Sequence, residues 1–475
     1  MEVEVRAGDP LAAAPELLAI GLPEGGSLPE ALAAAPGADA ARPRFKSLAS
    51  VFPADGPRVL VVGLGEPEKL DAERLRVAAA VAVKEAARLE AARLAWVPPD
   101  GIEPRAAVAA LVTGTVLGAY RFDRFRRDPD EPRAAVGSLT LFAAEELAPE
   151  AAAALTLATA QNRARDLQNT PANFATPAAL ADRAIEIAAE REAVSADVLG
   201  REEIVAMGMG GLAAVSQGSV EEPRLIVLRY AGGSGETVGL VGKGVTFDTG
   251  GISLKPGASM HEMKFDMSGG AAVLEAVAAV ADLGLALDLL AVVPATENMP
   301  SGSALKPGDV ITQYNRKTVE VNNTDAEGRL ILADALAYAI ELGATRLVDI
   351  ATLTGAVVIA LGSTHAAVVS NDDDLARELV DAGAETGELT WRLPMHPEYS
   401  ELMKGTVADL SNLAAKREAG TITAASFLAE FVDGTPWAHI DIAGTAWGVG
   451  RAYTGEEASG FGVRLLAELA RRLAG

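Results

Sequence analysis

The chain has 475 residues, a formal net charge of −24, 49% hydrophobic and 4% aromatic residues, and no cysteine. This length exceeds what one hydrophobic core usually holds, so two domains are expected. The acidic balance carries no chain-wide footprint for nucleic acid, and the lack of cysteine removes disulfides, thiolate metal sites and cysteine nucleophiles.

Residues 1–5 alternate polar and apolar as a strand does, and lack the apolar core of a signal peptide. A cytoplasmic location is the expectation. The longest apolar stretches, such as residues 283–293 with Asp288 inside, are too short to span a bilayer, so no membrane attachment is expected. Residues 58–65 read as a buried strand ending in a glycine turn. A dinucleotide fingerprint needs a third glycine near position 68, where Glu68 stands, so a plain strand-to-helix turn is predicted. The basic run 121–127, with Asp123 and Asp128 interspersed, reads as a solvated loop.

Residues 148–168 form an Ala-rich helical stretch, broken at 169–173, and Pro177 starts another helix. The expected division is an N-terminal α/β domain (1–147), a connecting helix (148–170) and a catalytic domain (171–475). Beyond the connection, strands at 238–241, 286–293, 318–321 and 346–350 alternate with helices at 269–283 and 326–342. That alternation predicts an α/β fold with a mostly parallel central sheet and helices on both faces, whose ligands bind at the carboxyl ends of the strands.

Two segments stand at such ends. The first carries Lys243, Asp248, Lys255 and Asp266 among glycines. It fails the P-loop pattern, because Thr237 and Gly244 occupy required positions. It has no second Asp-Thr-Gly copy for an aspartic protease, and Phe265 stands where His-Glu-x-x-His needs its second histidine. Alone, it also reads as a turn-rich loop with an Asp cap on the helix after Asp266. The second is Asn323-Thr324-Asp325-Ala326-Glu327-Gly328-Arg329-Leu330. Alone, Thr324 and Glu327 fit a capping box and Arg329 a surface charge. Together the segments offer three aspartates, a glutamate and a lysine, enough for two adjacent divalent cations with carboxylates bridging them. A lysine ligates only as the neutral amine, far from its ordinary state. The four histidines are scattered, so such a centre is held mostly by oxygen.

The octapeptide, with Gly242-Lys243-Gly244, Phe247-Asp248, Lys255-Pro256 and Met263-Lys264-Phe265-Asp266, closely resembles the leucyl aminopeptidase (cytosol aminopeptidase) family of dinuclear metallopeptidases. The likeness continues through residues 166–171, 351–355 and 420–427, covering the C-terminal two-thirds. The resemblance implies that Asp248 and Glu327 bridge two metals, that Lys243 and Asp266 complete the tighter site, and that Asp325 completes the exchangeable one. Lys255 and Arg329 match the catalytic, non-ligand positions. Met263, Thr352 and Gly355 match substrate-pocket positions, and the backbone of Leu353 matches the hold on the substrate main chain.

It further implies release of N-terminal residues, preferably Leu- or Met-like, from peptides with a free N-terminus whose α-amine ligates one metal. A metal-bridging hydroxide is the nucleophile, and bicarbonate held by Arg329 the general base. The metals are Mn²⁺ or Zn²⁺, with Mg²⁺ an alternative at the exchangeable site. A homohexamer with a macrodomain-like N-terminal domain is expected, and no nucleic-acid partner. Two rival readings are a two-metal phosphoesterase and a non-catalytic binding scaffold.

Overall fold

The computed structural model describes residues 1–127, 135–233, 235–416 and 418–475. It divides into two compact units. One comprises residues 1–162 and 450–455, the other 163–449 and 456–475.

Among the described residues, the first unit holds a six-stranded sheet: β1 (Glu2–Arg6), β2 (Leu17–Pro23), β3 (Leu48–Val51), β4 (Arg58–Gly65), β5 (Arg93–Val97) and β6 (Ser138–Phe142). Their order is β1-β6-β5-β2-β4-β3, parallel except for β3. Helix Ala72–Arg88 starts at Asp71, whose side chain accepts from Arg74 N–H, an N-cap of the preferred type. Its alanines pack with Leu17, Leu60, Trp96 and Leu111 into one core, so small side chains substitute for rings. The predicted loop 121–127 is irregular and mostly exposed; Asp128 lies outside the described residues.

Among the described residues, the second unit is built on a nine-stranded sheet. Its strands are β7 (Val194–Leu199), β8 (Arg224–Tyr230), β9 (Thr237–Gly242), β10 (Gly244–Asp248) and β11 (Asp288–Asn298). A small separate sheet takes β12 (Val310–Thr312), β13 (Thr318–Glu320) and β17 (Leu410–Ser411). The main sheet adds β14 (Arg346–Ala351), β15 (Ala366–Ser370), β16 (Thr390–Arg392) and β18 (Trp437–Asp441). The order is β16-β15-β18-β14-β9-β11-β8-β7, with β10 also paired to β11. Strands β18, β14, β9, β11 and β10 run parallel, so their carboxyl ends open on one edge. Antiparallel pairs lie to either side, at β8 with β11 and β15 with β18.

Two elements differ from expectation. The strand predicted at 286–293 runs from Asp288 to Asn298, because parallel pairing of Ala295 to Asn298 with β10 carries it past Pro294. The helix predicted at 326–342 spans Gly328–Glu341, and no capping box forms. Thr324 Oγ1 instead donates to Gly250 O at 2.6 Å and accepts from Ser253 N–H at 2.8 Å. Asp266 caps nothing either. It lies in the 3₁₀ turn Met260–Met267, and the following helix, Ser268–Leu283, has Met267 as its N-cap without a side-chain bond. Among the described residues no helix is long and apolar enough to cross a membrane.

Candidate metal centre

Every predicted site residue except Glu327 lines one cavity of about 520 Å³ at the carboxyl edge of the parallel strands. Glu327 lies just beneath it, 1% exposed. Lys243 follows β9, Asp248 ends β10, Asp325 and Glu327 follow β13, and Thr352 follows β14. Close backbone approach makes this possible. A Cβ on Gly269 would stand 2.0 Å from Ile350 O, and one on Gly328 2.8 Å from Lys243 Nζ. Glycine at both positions lets the two helix N-termini reach the strand ends.

The charges interleave. Lys243 Nζ lies 2.7 Å from Asp266 Oδ2 and 2.8 Å from Glu327 Oε1. Lys255 Nζ lies 2.8 Å from Asp248 Oδ2 and 2.5 Å from Asp325 Oδ1. Asp248, Asp325 and Glu327 each offer an oxygen within 4.8 Å of the others. Burial pushes the Glu327 carboxyl up to about 8, and Asp248 beside it adds to the rise. Burial likewise raises Asp266 to about 6. For Lys243 burial acts to lower the pKa, but Asp266, Glu327 and Asp248 outweigh it and hold the ammonium above its ordinary range. The same contest, with Asp248 the leading anion, raises Lys255.

Four carboxylates facing two ammonium groups leave an excess of negative charge in a poorly hydrated site. An oxygen-rich donor set with a single amine suits hard or borderline divalent cations. The residues therefore fit a divalent metal, provided Lys243 gives up its proton. Arg329 is buried, which lowers its pKa to about 10 against the pull of Glu327 and Asp441. Its Nη1 donates to Asn412 O at 2.9 Å, while its buried Nε has no hydrogen-bond partner among the described residues. An unsatisfied guanidinium edge on a cavity matches a planar anion.

An α/β scaffold with clustered carboxylates at its strand ends, able to hold divalent cations, is the arrangement of a metal-dependent enzyme. The chain belongs to the cytosol aminopeptidase family: its residues 162–467 match the family's catalytic domain and 30–129 its N-terminal domain. It is 45% identical to a probable cytosol aminopeptidase of Roseiflexus castenholzii, covering 99% of both chains. With that of Geobacter sp. it shares 47% over 87% of this chain and 86% of the relative. The solved structure of the bottromycin maturation enzyme BotP in complex with Mn superposes with a TM-score of 0.90 at 37% identity, over 97% of this chain and 100% of that one. The protein is a metal-dependent aminopeptidase.

Two asparagines escaped the sequence reading. Asn298 Nδ2 donates to Asp248 Oδ1 at 2.8 Å and Thr324 O at 3.0 Å, and lies 3.5 Å from Glu327 Oε2. The local signal was a polar residue closing the long apolar strand β11. Asn412 Oδ1 accepts from Asn322 N–H at 2.8 Å, and its Nδ2 donates to Asn323 O at 2.7 Å, clamping the octapeptide. Nothing in its neighbourhood in the sequence announces that contact. Groups that orient ligands typically change metal affinity 10–100-fold when removed. N298A is accordingly expected to weaken Mn²⁺ binding by about 10–100-fold, read by titration calorimetry; unchanged affinity would show that Asn298 only fills space.

Proposed function

We propose that this chain hydrolyses the first peptide bond of peptides with a free N-terminus, preferring Leu- or Met-like residues, at a centre of two divalent cations. The observation that carries the reading is the convergence of Lys243, Asp248, Asp266, Asp325 and Glu327 on one cavity. Asp248 and Glu327 would be shared between the ions, Lys243 and Asp266 would complete one site, and Asp325 the other. Mn²⁺ or Zn²⁺ suits a site with one nitrogen donor, and Mg²⁺ is an alternative at the all-oxygen side. When bound, the ions supply Lewis acidity that makes water nucleophilic at neutral pH and polarises the scissile carbonyl.

The chain's own groups divide the remaining work. Lys255 Nζ, at the cavity wall, stabilises negative charge developing on the carbonyl oxygen. Arg329 presents its unsatisfied edge to bicarbonate, which supplies the base that no side chain here offers. Met263, Thr352 and Gly355 shape the wall for the first side chain, and the backbone of Leu353 holds the substrate main chain. The family resemblance supports a homohexamer, a cytoplasmic setting, and a macrodomain-like N-terminal domain (1–147) joined through helix 148–170 to a catalytic domain (171–475).

The test is release of p-nitroaniline from leucine p-nitroanilide and from its N-acetyl derivative, using chelator-stripped protein with Mn²⁺ or Zn²⁺ restored. The expected result is metal-dependent cleavage of the free-amine substrate alone. Equal cleavage of the acetylated compound removes the requirement for a free N-terminus, and no cleavage with either metal removes the leucyl specificity.

A further inference from the structure

Behind the metal-facing residues lies a buried carboxylate that contacts none of them. Asp441 ends β18 and is 0% exposed. Its Oδ1 accepts from Leu353 N–H at 3.1 Å, Thr354 N–H at 3.4 Å and Ala443 N–H at 3.2 Å. Its Oδ2 accepts from Thr354 Oγ1 at 2.5 Å. That hydroxyl also lies 2.9 Å from Thr421 Oγ1, in the first turn of helix Gly420–Ala429. One side chain therefore ties together three segments that wall the cavity: the turn after β14, the segment after β18 and the start of that helix.

The strand that carries it is itself braced. On β18, His439 and Asp441 are two apart and share a face of the sheet. His439 Nδ1 lies 2.6 Å from Asp349 Oδ1 on the neighbouring strand, and Asp349 Oδ2 accepts from Trp437 Nε1 at 2.7 Å. All of these side chains are fully buried. A buried carboxylate is costly unless its lone pairs are satisfied. A hydrophobic residue at the end of β18 would serve packing without that cost, yet it would leave the Leu353 and Thr354 amides without an acceptor.

We propose that Asp441 is a positioning residue for peptide substrates. It fixes the Leu353–Gly355 turn so that the turn's backbone can pair with the substrate main chain beyond the scissile bond. The proposal rests on the aminopeptidase reading above, and it assigns Asp441 to substrate alignment and not to metal binding. Backbone pairing of this kind is made in ground and transition states alike, so its loss raises KM more than it lowers kcat. A misplacement of about an ångström costs on the order of 100-fold.

The experiment compares D441A, D441N and T354V with the wild type on Leu-Gly-Gly and on leucine p-nitroanilide, which lacks a main chain beyond the scissile bond. Mn²⁺ affinity is measured alongside. D441A is expected to lose roughly 10–100-fold in kcat/KM on the tripeptide, mostly in KM, with a loss at least about fivefold smaller on the anilide. D441N, which keeps an acceptor for the amides, should recover most of that loss. T354V, which keeps the carboxylate and removes the hydroxyl link, should shift the substrate ratio in the same direction. Mn²⁺ affinity should stay within about twofold in all three. An unchanged substrate ratio in T354V overturns the proposal even if D441A does not fold, and so does a parallel fall in Mn²⁺ affinity. A wild type inactive on both substrates overturns the leucyl specificity proposed above, and this proposal with it.

Discussion

E327Q is expected to lower kcat/KM on a leucyl peptide by about 1,000-fold while leaving the fold intact. Glu327 is 1% exposed, with one oxygen on Lys243 and the other facing Asn298. Glutamine keeps its shape and removes its charge. A cation bridged by this carboxylate would lose an anionic donor, and Lewis-acid stabilisation is worth several kcal/mol, about tenfold in rate for each 1.4 kcal/mol. Stability should move the other way. The Glu327 carboxyl is raised from an ordinary 4.5 to about 8 by burial and by Asp248, so the folded, metal-free state holds a proton that the unfolded chain has released. The wild type therefore loses more stability than E327Q as pH rises from about 4.5 to about 8, the remaining loss coming from raised carboxyls such as Asp266. Thermal unfolding in chelator at pH 5 and pH 8, with metal content by mass spectrometry, checks both halves. An E327Q enzyme with full activity and full metal content would remove Glu327 from the centre.

K243M is expected to destabilise the metal-free protein by roughly 3–5 kcal/mol at neutral pH, the usual cost of leaving buried charges unpaired. Methionine replaces the aliphatic stem, but the Asp266 carboxylate loses the ammonium that lies 2.7 Å from it, and the protonated Glu327 loses a partner at 2.8 Å. The same lysine makes metal binding a proton-releasing event. Its amine is held protonated by Asp266, Glu327 and Asp248 against the effect of burial, and only the neutral form ligates. Metal affinity should therefore rise with pH. Calorimetry in buffers of different ionisation enthalpy should show proton release on Mn²⁺ binding to the wild type and less in K243M. Equal release from both proteins would place Lys243 outside the ligand set, and equal stability in chelator would show that the ion pairs contribute little.

Much of the organisation was legible along the chain because it is encoded locally. Alternation of apolar strands with helical periodicity announced the parallel sheet, and the clustering of acids just after strands announced where ligands would gather. The octapeptide 323–330, together with the motifs at 242–248, 255–256 and 263–266, carried the resemblance to the family. Local rules misread what side chains do when distant groups compete for them. Thr324 and Glu327 have the spacing of a capping box. Gly250 and Ser253, more than 70 residues earlier, engage Thr324 instead, and Lys243 engages Glu327.

The sequence by itself determined the fold class, the family and the two segments that hold the acidic and basic groups. Tertiary structure alone decided which charges meet. Lys243 falls between Asp266 and Glu327 because strand register and glycine contacts bring the end of β9, the 3₁₀ turn Met260–Met267 and the start of helix Gly328–Glu341 within a few ångströms. Asn298, Asn412 and Asp441 act on residues 26 to 90 positions away, through hydrogen bonds whose partners no local pattern specifies. Spacing along a chain predicts contacts only within a turn or two of helix or strand. Beyond that, contact is set by packing, which depends on the whole sequence at once.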